Sequence, residues 1–329
     1  MSFSISVVIP NYNGKSLLAD VLPSVINSLS TVSLPSEIIV VDDNSTDDSI
    51  AFIKKNFSDV IILANEINLG FSGTVNKGIK AATKDLVFIL NNDVKLLPGY
   101  FEAQLPLFKL LDTFGVNGAV LNWNSDVLQG GGKIINRHLF KIKANENYFV
   151  DPVTAAGPLP LLTMFLSGTN ALIDRKKLLM LNGYDDLFSP FYVEDVELSV
   201  RALRMGWKMY YVPSSKCMHQ ISTTINKYNK KQKIKYLTLR NKFYLHFIHL
   251  NGSQLFFWYF QTVLEILART LSLNFSYIKA FSTFVNTAND AEKSKSAFNM
   301  LLNKNGAPKK DLFSLLKEYK TATLKRIHS

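Results

Sequence analysis

The chain has 329 residues, of which 47% are hydrophobic and 19% charged, a composition typical of a globular protein. Its one cysteine, Cys217, excludes an intramolecular disulfide and suits a reducing cytoplasm. The N-terminal stretch MSFSISVVIPNYNG lacks the basic region of a secretory signal, so we expect a cytoplasmic protein. The net charge is +11, but residues 1–219 sum to −2 and residues 220–329 to +13. This asymmetry predicts an anionic partner for the C-terminal part.

Strand-like and helix-like segments alternate through the first hundred residues. Short apolar runs predict strands, and longer runs with helical periodicity predict helices. The predicted strands cover 4–10, 36–43, 59–65 and 85–93, and the helices between them cover 14–30, 45–56 and 71–83. This alternation predicts an α/β fold whose mostly parallel central sheet is flanked by helices on both faces.

The pattern is weaker after residue 99 and then returns. The predicted features are a turn or close backbone approach at 130–134, a loop or short strands at 137–160, strand, turn and helix at 164–186, and helix then strand at 193–213. The remainder is helical and basic. We therefore predict a catalytic domain at 1–225 and a helical C-terminal extension at 226–329.

Polar residues follow all four predicted strands of the first half. They form clusters at 10–13, 42–45, 65–70 and 91–93. Because the carboxyl ends of parallel strands meet at one sheet edge, where ligands bind, the clusters predict a binding site. Turn formation alone is the alternative for any single cluster. Asp93, which stands beside two amides, is a candidate ligand for Mg²⁺ or Mn²⁺.

A second group of acids lies in the segment VEDVEL. Asp195 stands near a helix start, after the aromatic segment FSPFY, and is a candidate general base. Its alternative role is to stabilise the helix dipole. Helical spacing places Glu194 and Glu197 on one face and Asp195 elsewhere, with Glu197 paired to Arg201 on a solvated surface. His219 follows a strand and is either a metal ligand or a structural histidine.

Six segments resemble, in order, the motifs of family 2 inverting glycosyltransferases with the GT-A fold. They are VVIPNYNG, EIIVVDDNSTDDS, NLGFSGTVNKGI, FILNNDV, SGTNALIDRKKLLMLNGYDDLF and VEDVELSVRALRMGWKMYYVP. NLGFSGTVNKG is similar to the branch that transfers rhamnosyl and galactofuranosyl groups. The resemblance covers about residues 4–245. It implies a hexosyltransferase-type enzyme of cell-surface polysaccharide synthesis, with a dTDP-, UDP- or GDP-linked sugar donor and a glycan or polyprenyl-linked glycan acceptor.

The resemblance also implies roles for individual residues. The implied donor-binding residues are Pro10, Tyr12, Asp42, Asp43, Asn68, Gly70, Asn76, Asn92, Ser167, Gly168 and Thr169. Asp195 matches the catalytic base, with Glu194 beside it in the same motif. Asp93 and His219 match ligands of a divalent Mg²⁺ or Mn²⁺. Asn91 stands where the family's Asp-x-Asp metal motif has its first acid, so this chain keeps one carboxylate there.

The implied reaction is a single displacement. The base deprotonates an acceptor hydroxyl, which attacks the anomeric carbon opposite the leaving group and inverts its configuration. The metal and helix N-termini would stabilise the departing nucleoside diphosphate. Two alternatives stay open: a catalytically decayed module that binds sugar nucleotides or docks on membranes, and a nucleotidyltransferase.

The C-terminal extension begins with a basic segment. Residues 226–242 contain seven basic residues and no acid, and the aromatic-rich segment 255–271 follows. Glu265 and Arg269 interrupt that segment, which is too short to span a bilayer. It could lie on an anionic membrane at the inner face of the cell membrane, pack on the catalytic domain, or join a homo-oligomer. No nucleic-acid-binding motif accompanies the charge.

Overall fold

The N-terminal strands and helices alternate as the sequence predicts. The computed structural model describes residues 3–151, 160–220, 230–271, 275–308 and 310–327. Strands β1 to β4 are Ile5–Asn11, Ser36–Asp42, Ile61–Ala64 and Leu86–Leu90. Helices α1 to α3 are Lys15–Val32, Ser49–Asn56 and Gly70–Ala81.

The middle of the chain supplies more strand than the sequence predicts. Strands β5 to β9 are Val94–Leu96, Thr113–Asn122, Leu128–Gly130, Gly132–His138 and Lys141–Tyr148. They are followed by β10 (Asn170–Asp174), α4 (Arg175–Met180), α5 (Glu194–Arg204) and β11 (Lys208–His219). Strands β8 and β9 pair as an antiparallel hairpin at the start of the segment predicted as a loop or short strands.

One nine-stranded sheet forms the centre of the molecule. Its order is β3-β2-β1-β4-β10-β6-β11-β5, and β7 pairs with β6. Strands β1 to β4 are mutually parallel, whereas β10 runs antiparallel between β4 and β6. The predicted α/β class is confirmed, and the second half of the sheet is mixed. The carboxyl ends of β1, β2 and β4 lie side by side, with Asn11 in register with Asp42.

Alternate residues of the central strands enter two hydrophobic clusters, one on each face of the sheet. In β1, Val7 and Ile9 pack with α1, whereas Val8 packs with Val75 and Ile79 of α3. This period of two is the pattern of a strand buried on both faces. Because both faces of these strands are buried, the residues that can contact a ligand are those at the strand ends.

Helix α2 begins four residues later than the predicted start at Ser45. The Ser45 backbone amide donates to Asp42 Oδ1, and the Thr46 and Asp47 amides donate to Asn13 Oδ1. Side chains at the ends of β1 and β2 thus bind the amides that would otherwise start the helix. The segment stays a turn and holds two strand ends together.

The C-terminal part folds as helices that share the main hydrophobic cluster. Helices α6 to α10 are Lys231–His249, Gly252–Leu271, Phe275–Asn286, Ala288–Lys304 and Leu312–Ile327. Trp258 and Phe284 are buried in the cluster that contains Val8 and Ile39 of the sheet. The predicted boundary at 225/226 lies outside the described residues. In the described ranges, no helix combines the length and apolarity needed to cross a bilayer.

Two histidines of α6 are buried as neutral rings. His246 Nδ1 lies 2.5 Å from Lys242 O, to which it donates, and Nε2 accepts from the Ile142 amide. His249 Nε2 donates to Glu197 Oε1 at 3.2 Å. Burial lowers the pKa of His246 to about 3 and that of His249 to about 4. Both side chains therefore stay uncharged at neutral pH.

We expect the free energy of unfolding to fall as the pH drops from about 6.5 towards 4. Unfolded histidines take up a proton near pH 6.5, whereas His246 and His249 do so only near their lowered native pKa values. The unfolded state therefore binds more protons in this range, which costs about 2 kcal/mol per histidine between pH 7 and pH 5. Urea unfolding at several pH values measures the slope. The raised pKa of Glu194 acts in the opposite direction, so the slope is compared with that of His246→Gln/His249→Gln. An equal slope in the two proteins would contradict the assignment.

Candidate functional site

A cavity of about 500 Å³ opens at the carboxyl ends of the central strands. The predicted site residues that line it are Pro10, Tyr12, Asp43, Asn68, Gly70, Asn92, Asp93, Ser167, Gly168, Thr169, Glu194, Asp195 and His219. They come from strand ends β1, β2, β4 and β11, from the loops before α3 and β10, and from the start of α5. The structure thus gathers residues that are as far apart in the chain as Pro10 and His219.

Asp43 holds the loop before α3 with its carboxylate. Its Oδ1 accepts from Asn65 Nδ2 at 2.9 Å and from the Leu69 amide at 2.8 Å, and its Oδ2 accepts from the Gly70 amide at 3.0 Å. The Phe71 amide donates to Pro190 O at 2.8 Å. The first two amides of α3 are therefore already bonded within the protein. A diphosphate at this helix N-terminus would have to displace those contacts.

Gly70 is required by its conformation and its surroundings. Its φ of +74° lies in the left-handed region, which side chains other than glycine's rarely adopt. A Cβ at this position would lie 2.7 Å from Pro190 Cα. Glycine therefore lets the loop after β3 meet the loop before α5, and the two close one wall of the cavity.

Asp42 and Asn76 lie behind the cavity wall and are not among its lining residues. Asp42 Oδ2 accepts from Asn11 Nδ2 at 2.9 Å, and Asn11 Oδ1 accepts from Asn92 Nδ2 at 2.9 Å. This chain of amides ties together the ends of β2, β1 and β4. Asn76 donates to Tyr184 O and accepts from the Tyr184 amide, both at 2.8 Å. The polar atoms of Asp42 and Asn76 are used to hold neighbouring backbone and side chains in place. The geometry therefore does not support direct contact between these two residues and the donor.

Asp93 and His219 meet at the end of the cavity formed by β4 and β11. Asp93 Oδ1 lies 3.4 Å from His219 Nε2. Next to them, the buried Asn91 Oδ1 has no hydrogen-bond partner in the described part of the chain. A carboxylate, an imidazole and an open amide oxygen match the ligand preferences of Mn²⁺ and Mg²⁺. Within the described ranges, no group of three or more His, Cys, Asp and Glu side chains is arranged to hold a metal ion.

Glu194 and Asp195 both line the cavity, although helical spacing predicted that they would diverge. Burial, followed by the charge of Asp195, raises the pKa of Glu194 well above its usual range. Burial also raises the pKa of Asp195, but the Val196 and Gly168 amides and the charge of Lys133 oppose the rise. Glu194 has only its own backbone amide to oppose the rise, whereas Asp195 has several amides and a cation. We therefore assign the negative charge of the pair to Asp195 and the proton to Glu194.

The expectation that Glu197 lies on a solvated surface is wrong, although its predicted partner is right. Glu197 and Arg201 are 1% and 6% exposed, and Glu197 Oε2 lies 2.7 Å from Arg201 Nη2. Arg201 also donates to the Leu181 and Gly183 carbonyls, at 2.6 and 2.9 Å. His249 of α6 reaches the same carboxylate and covers it. The pair therefore anchors α5 from inside the protein.

The loop before α5 is held by a residue that sequence reasoning missed. Asn241 of α6 is fully buried, and the two hydrogens of its Nδ2 are shared among the carbonyls of Phe188, Phe191 and Tyr192, at 2.7, 3.1 and 2.8 Å. Tyr192 and Val193 both have positive φ, at 73° and 76°. Two such residues in a row are strained, and strain of this kind persists where the surroundings fix it. Asn241 supplies that constraint directly before the catalytic candidates.

Sequence reasoning also missed two lysines, one that lines the cavity and one whose charge acts on Asp195. Lys133, in the segment predicted only as a turn, opposes the rise in the Asp195 pKa with its charge. Lys233, predicted as part of a membrane-binding segment, lines the cavity from the first turn of α6. Lys133 is positioned by residues about 30 places later in the chain, because its amide donates to Thr163 Oγ1 and its carbonyl accepts from the Met164 amide.

Comparison with known proteins agrees with this fold. Residues 6–179 match the family model of glycosyl transferase family 2, and residues 120–289 match that of glycosyl transferase family group 2. The chain therefore belongs to glycosyl transferase family 2.

Similar proteins differ in how much of their length is matched. The uncharacterized glycosyltransferase alr2836 of Nostoc sp. is 32% identical over 136 residues, 40% of this chain and 40% of that protein. The N-acetylglucosaminyl-diphospho-decaprenol L-rhamnosyltransferase of Mycobacterium tuberculosis is 23% identical over 222 residues, 58% of this chain and 70% of that protein. The crystal structure of GalNAc-T7 with UDP, GalNAc and Mn²⁺ has a TM-score of 0.62 and 20% identity. That match covers 76% of this chain and 49% of GalNAc-T7, and it shows the fold.

Proposed function

We propose that the chain transfers a sugar, with inversion, from a nucleotide-diphosphate donor to a hydroxyl of a glycan or lipid-linked glycan in cell-surface polysaccharide synthesis. The observation that carries the proposal is one cavity lined by both Asp195 and the Asp93–His219 pair. A hydroxyl acceptor needs a base, and a diphosphate leaving group needs positive charge. A lipid-linked acceptor is favoured by similarity to the mycobacterial rhamnosyltransferase, whose name specifies a diphospho-decaprenol substrate.

The donor nucleotide would lie along the ends of β1 and β2. Pro10 and Tyr12 offer an apolar and an aromatic surface for the base and ribose, and Asn68 adds an amide at the same wall. Lys233 contributes a positive charge at the cavity. We infer that Asp43 contributes chiefly by fixing the 65–70 loop, since three donors of that loop already bind its carboxylate.

A divalent metal would be held by Asp93 and His219, with Asn91 Oδ1 as a further oxygen ligand. When bound, Mn²⁺ or Mg²⁺ neutralises negative charge that develops on the leaving diphosphate. GalNAc-T7, which shares the fold, was crystallised with Mn²⁺ and UDP. The remaining ligands would be water and phosphate oxygens, because the described residues bring only one carboxylate to this end of the cavity.

The protein's own groups would activate the acceptor. Asp195 Oδ1 accepts from the Val196 amide at 2.8 Å, and its carboxylate also accepts from the Gly168 amide. These bonds fix its position and favour its charged form. The carboxylate takes the proton from the acceptor hydroxyl as the oxygen attacks the anomeric carbon. Ser167 and Thr169, whose hydroxyl oxygens lie 2.9 Å apart, would contact the donor sugar or the acceptor.

We expect Asp93→Ala and His219→Ala each to weaken the response to Mn²⁺ by about tenfold or more, since metal affinity depends steeply on each ligand. The measurement is the thermal shift produced by Mn²⁺ and a nucleoside diphosphate together, because a ligand that binds the native state stabilises it. Asp59→Ala is the control, because Asp59 is exposed and precedes β3 at the opposite sheet edge. Unchanged turnover in EDTA would contradict a role for metal.

The function is tested by incubating the protein with dTDP-, UDP- and GDP-sugars and measuring nucleoside diphosphate release. With the productive donor and a polyprenyl-linked glycan, NMR of the product reports the anomeric configuration. Inversion relative to the donor supports the proposal. Retention of configuration, or release of pyrophosphate rather than nucleoside diphosphate, would overturn it.

A further inference from the structure

Helix α7 carries an apolar stripe on its outer face. The stripe consists of Phe256, Phe257, Phe260, Val263, Leu264, Leu267 and Leu271. Its members recur at helical spacing and so form one continuous surface. Phe256 is 67% exposed, Phe260 60% and Leu267 59%. An exposed apolar surface of this extent marks a site of interaction.

The opposite face of α7 fixes the stripe towards the outside. Trp258 and Thr262 are fully buried against the other C-terminal helices. Glu265 pairs with Lys141 Nζ at 2.6 Å and accepts from the Tyr277 hydroxyl at 2.7 Å. The helix cannot rotate to bury the stripe without breaking these contacts.

The β8–β9 hairpin extends the stripe. Its turn contains Leu139, which is 61% exposed, and Phe140, whose ring stacks on Phe257 with 4.9 Å between the ring centroids. Strand β8 runs from this turn back to Lys133, whose charge acts on Asp195. Seven residues of strand span about 20 Å. The stripe and the catalytic candidates are thus joined by one rigid element.

Positive charge borders the stripe. Burial lowers the pKa of Lys141, its bond to Glu265 opposes this, and the nearby charges of Arg269 and Lys242 lower it further. These three cations therefore lie close together, with Glu265 as an acid among them. Lys143, exposed on β9, acts on the exposed Lys242 of α6 and adds a fourth cation on the same side.

We propose that the α7 stripe and the hairpin turn form a surface that docks onto an anionic lipid bilayer, with the helix lying in the plane of the interface. Aromatic and aliphatic side chains would enter the headgroup boundary while the bordering cations bind lipid phosphates. Residues 220–329 sum to +13, so a second copy placed face to face would bring like charges together. An anionic membrane offers an apolar boundary to the stripe and negative charge to the bordering cations. This inference rests on the proposed function, in which the acceptor is lipid-linked.

The test is co-sedimentation of the full chain with phosphatidylcholine vesicles that contain or lack phosphatidylglycerol. We expect binding to the anionic vesicles that weakens at high salt, where charges are screened. The triple variant Phe256→Ser/Phe260→Ser/Leu264→Ser should lower the ratio of bound to free protein by at least about tenfold, since it removes the apolar contact. Lys143→Glu/Lys242→Glu should lower it on anionic vesicles.

The matched control is Leu111→Ser/Val127→Ser/Met300→Ser, which replaces three exposed apolar residues outside the stripe. It should bind vesicles like the wild type. Light scattering gives the oligomeric state of each protein. The proposal is overturned if the wild type ignores anionic vesicles, if the stripe variant binds as well as the control, or if the stripe instead holds a dimer together.

Donor hydrolysis and transfer to a soluble acceptor analogue separate this proposal from the proposed function. Stripe variants should keep both activities and lose only transfer to an acceptor embedded in vesicles. Vesicle binding without any transferase activity would contradict the proposed function but not the proposed docking surface. Transfer to soluble acceptors without vesicle binding would contradict the docking surface but not the proposed function.

Discussion

Asp195→Asn is expected to lower kcat by at least about 100-fold, the lower end of what general base catalysis contributes. The amide keeps the shape of the side chain, and its Oδ1 can still accept from the Val196 amide. It has no basic oxygen to take the acceptor proton. Donor affinity should change little, because the loss falls on the transition state. Steady-state kinetics with the true acceptor, together with donor binding by calorimetry, measure the two effects.

Glu194→Gln is the informative companion. Burial and the neighbouring carboxylate keep Glu194 protonated, so the substitution replaces one neutral hydrogen-bonding group with another. Its effect on kcat should therefore be much smaller than that of Asp195→Asn. Asp126→Asn, on an exposed turn, serves as the distant control. If Glu194→Gln is inactive and Asp195→Asn retains turnover, the two carboxyl groups have the opposite roles.

Glu197→Gln is expected to lower the free energy of unfolding by about 3–5 kcal/mol, the usual cost of removing one partner of a buried ion pair. The substitution leaves the Arg201 guanidinium, 6% exposed, without its counter-charge. It also weakens the bond from His249. Urea unfolding should show a lower midpoint with an unchanged slope.

The exposed pair of Asp290 and Lys293 provides the control. Their side chains are 58% and 78% exposed, and their charged atoms lie 2.9 Å apart. Asp290→Asn removes one charge in the same way as Glu197→Gln but should cause no measurable loss, because exposed pairs contribute little. A similar loss in both variants would show that burial does not increase the contribution of the Glu197–Arg201 pair to stability.

The site residues at strand ends could be predicted from the points where apolar runs give way to polar residues. The apolar run of β4 stops at Leu90, and the polar residues that follow must lie at the sheet edge. Neighbouring parallel strands repeat this placement, so Tyr12, Asp43 and Asp93 could be grouped without a structure. The helical spacing of Glu197 and Arg201 likewise predicted their contact.

Features that depend on distant partners could not be predicted. The burial of Glu197 comes from His249, which lies 52 positions later in the chain. The β8–β9 hairpin has little apolar alternation, because Ile142 and Tyr148 are the buried residues of β9 and do not follow a period of two with apolar residues between them. The position of Lys133 depends on Thr163, 30 positions later, whose hydroxyl accepts from the Lys133 amide. In each case the sequence around the residue carries no periodic signal for the contact.

The three bonds donated by Asn241 have a consequence for the synthesis of the chain. The first 220 residues contain every carboxylate assigned to the cavity, yet the carbonyls of Phe188, Phe191 and Tyr192 find their donor only when α6 has been made. Contacts so far apart in sequence form late, after the intervening chain has closed into a loop. A growing chain on the ribosome would therefore hold the residues proposed to bind the donor beside an unfinished loop before α5. Activity would begin only after the C-terminal helices have folded onto the sheet.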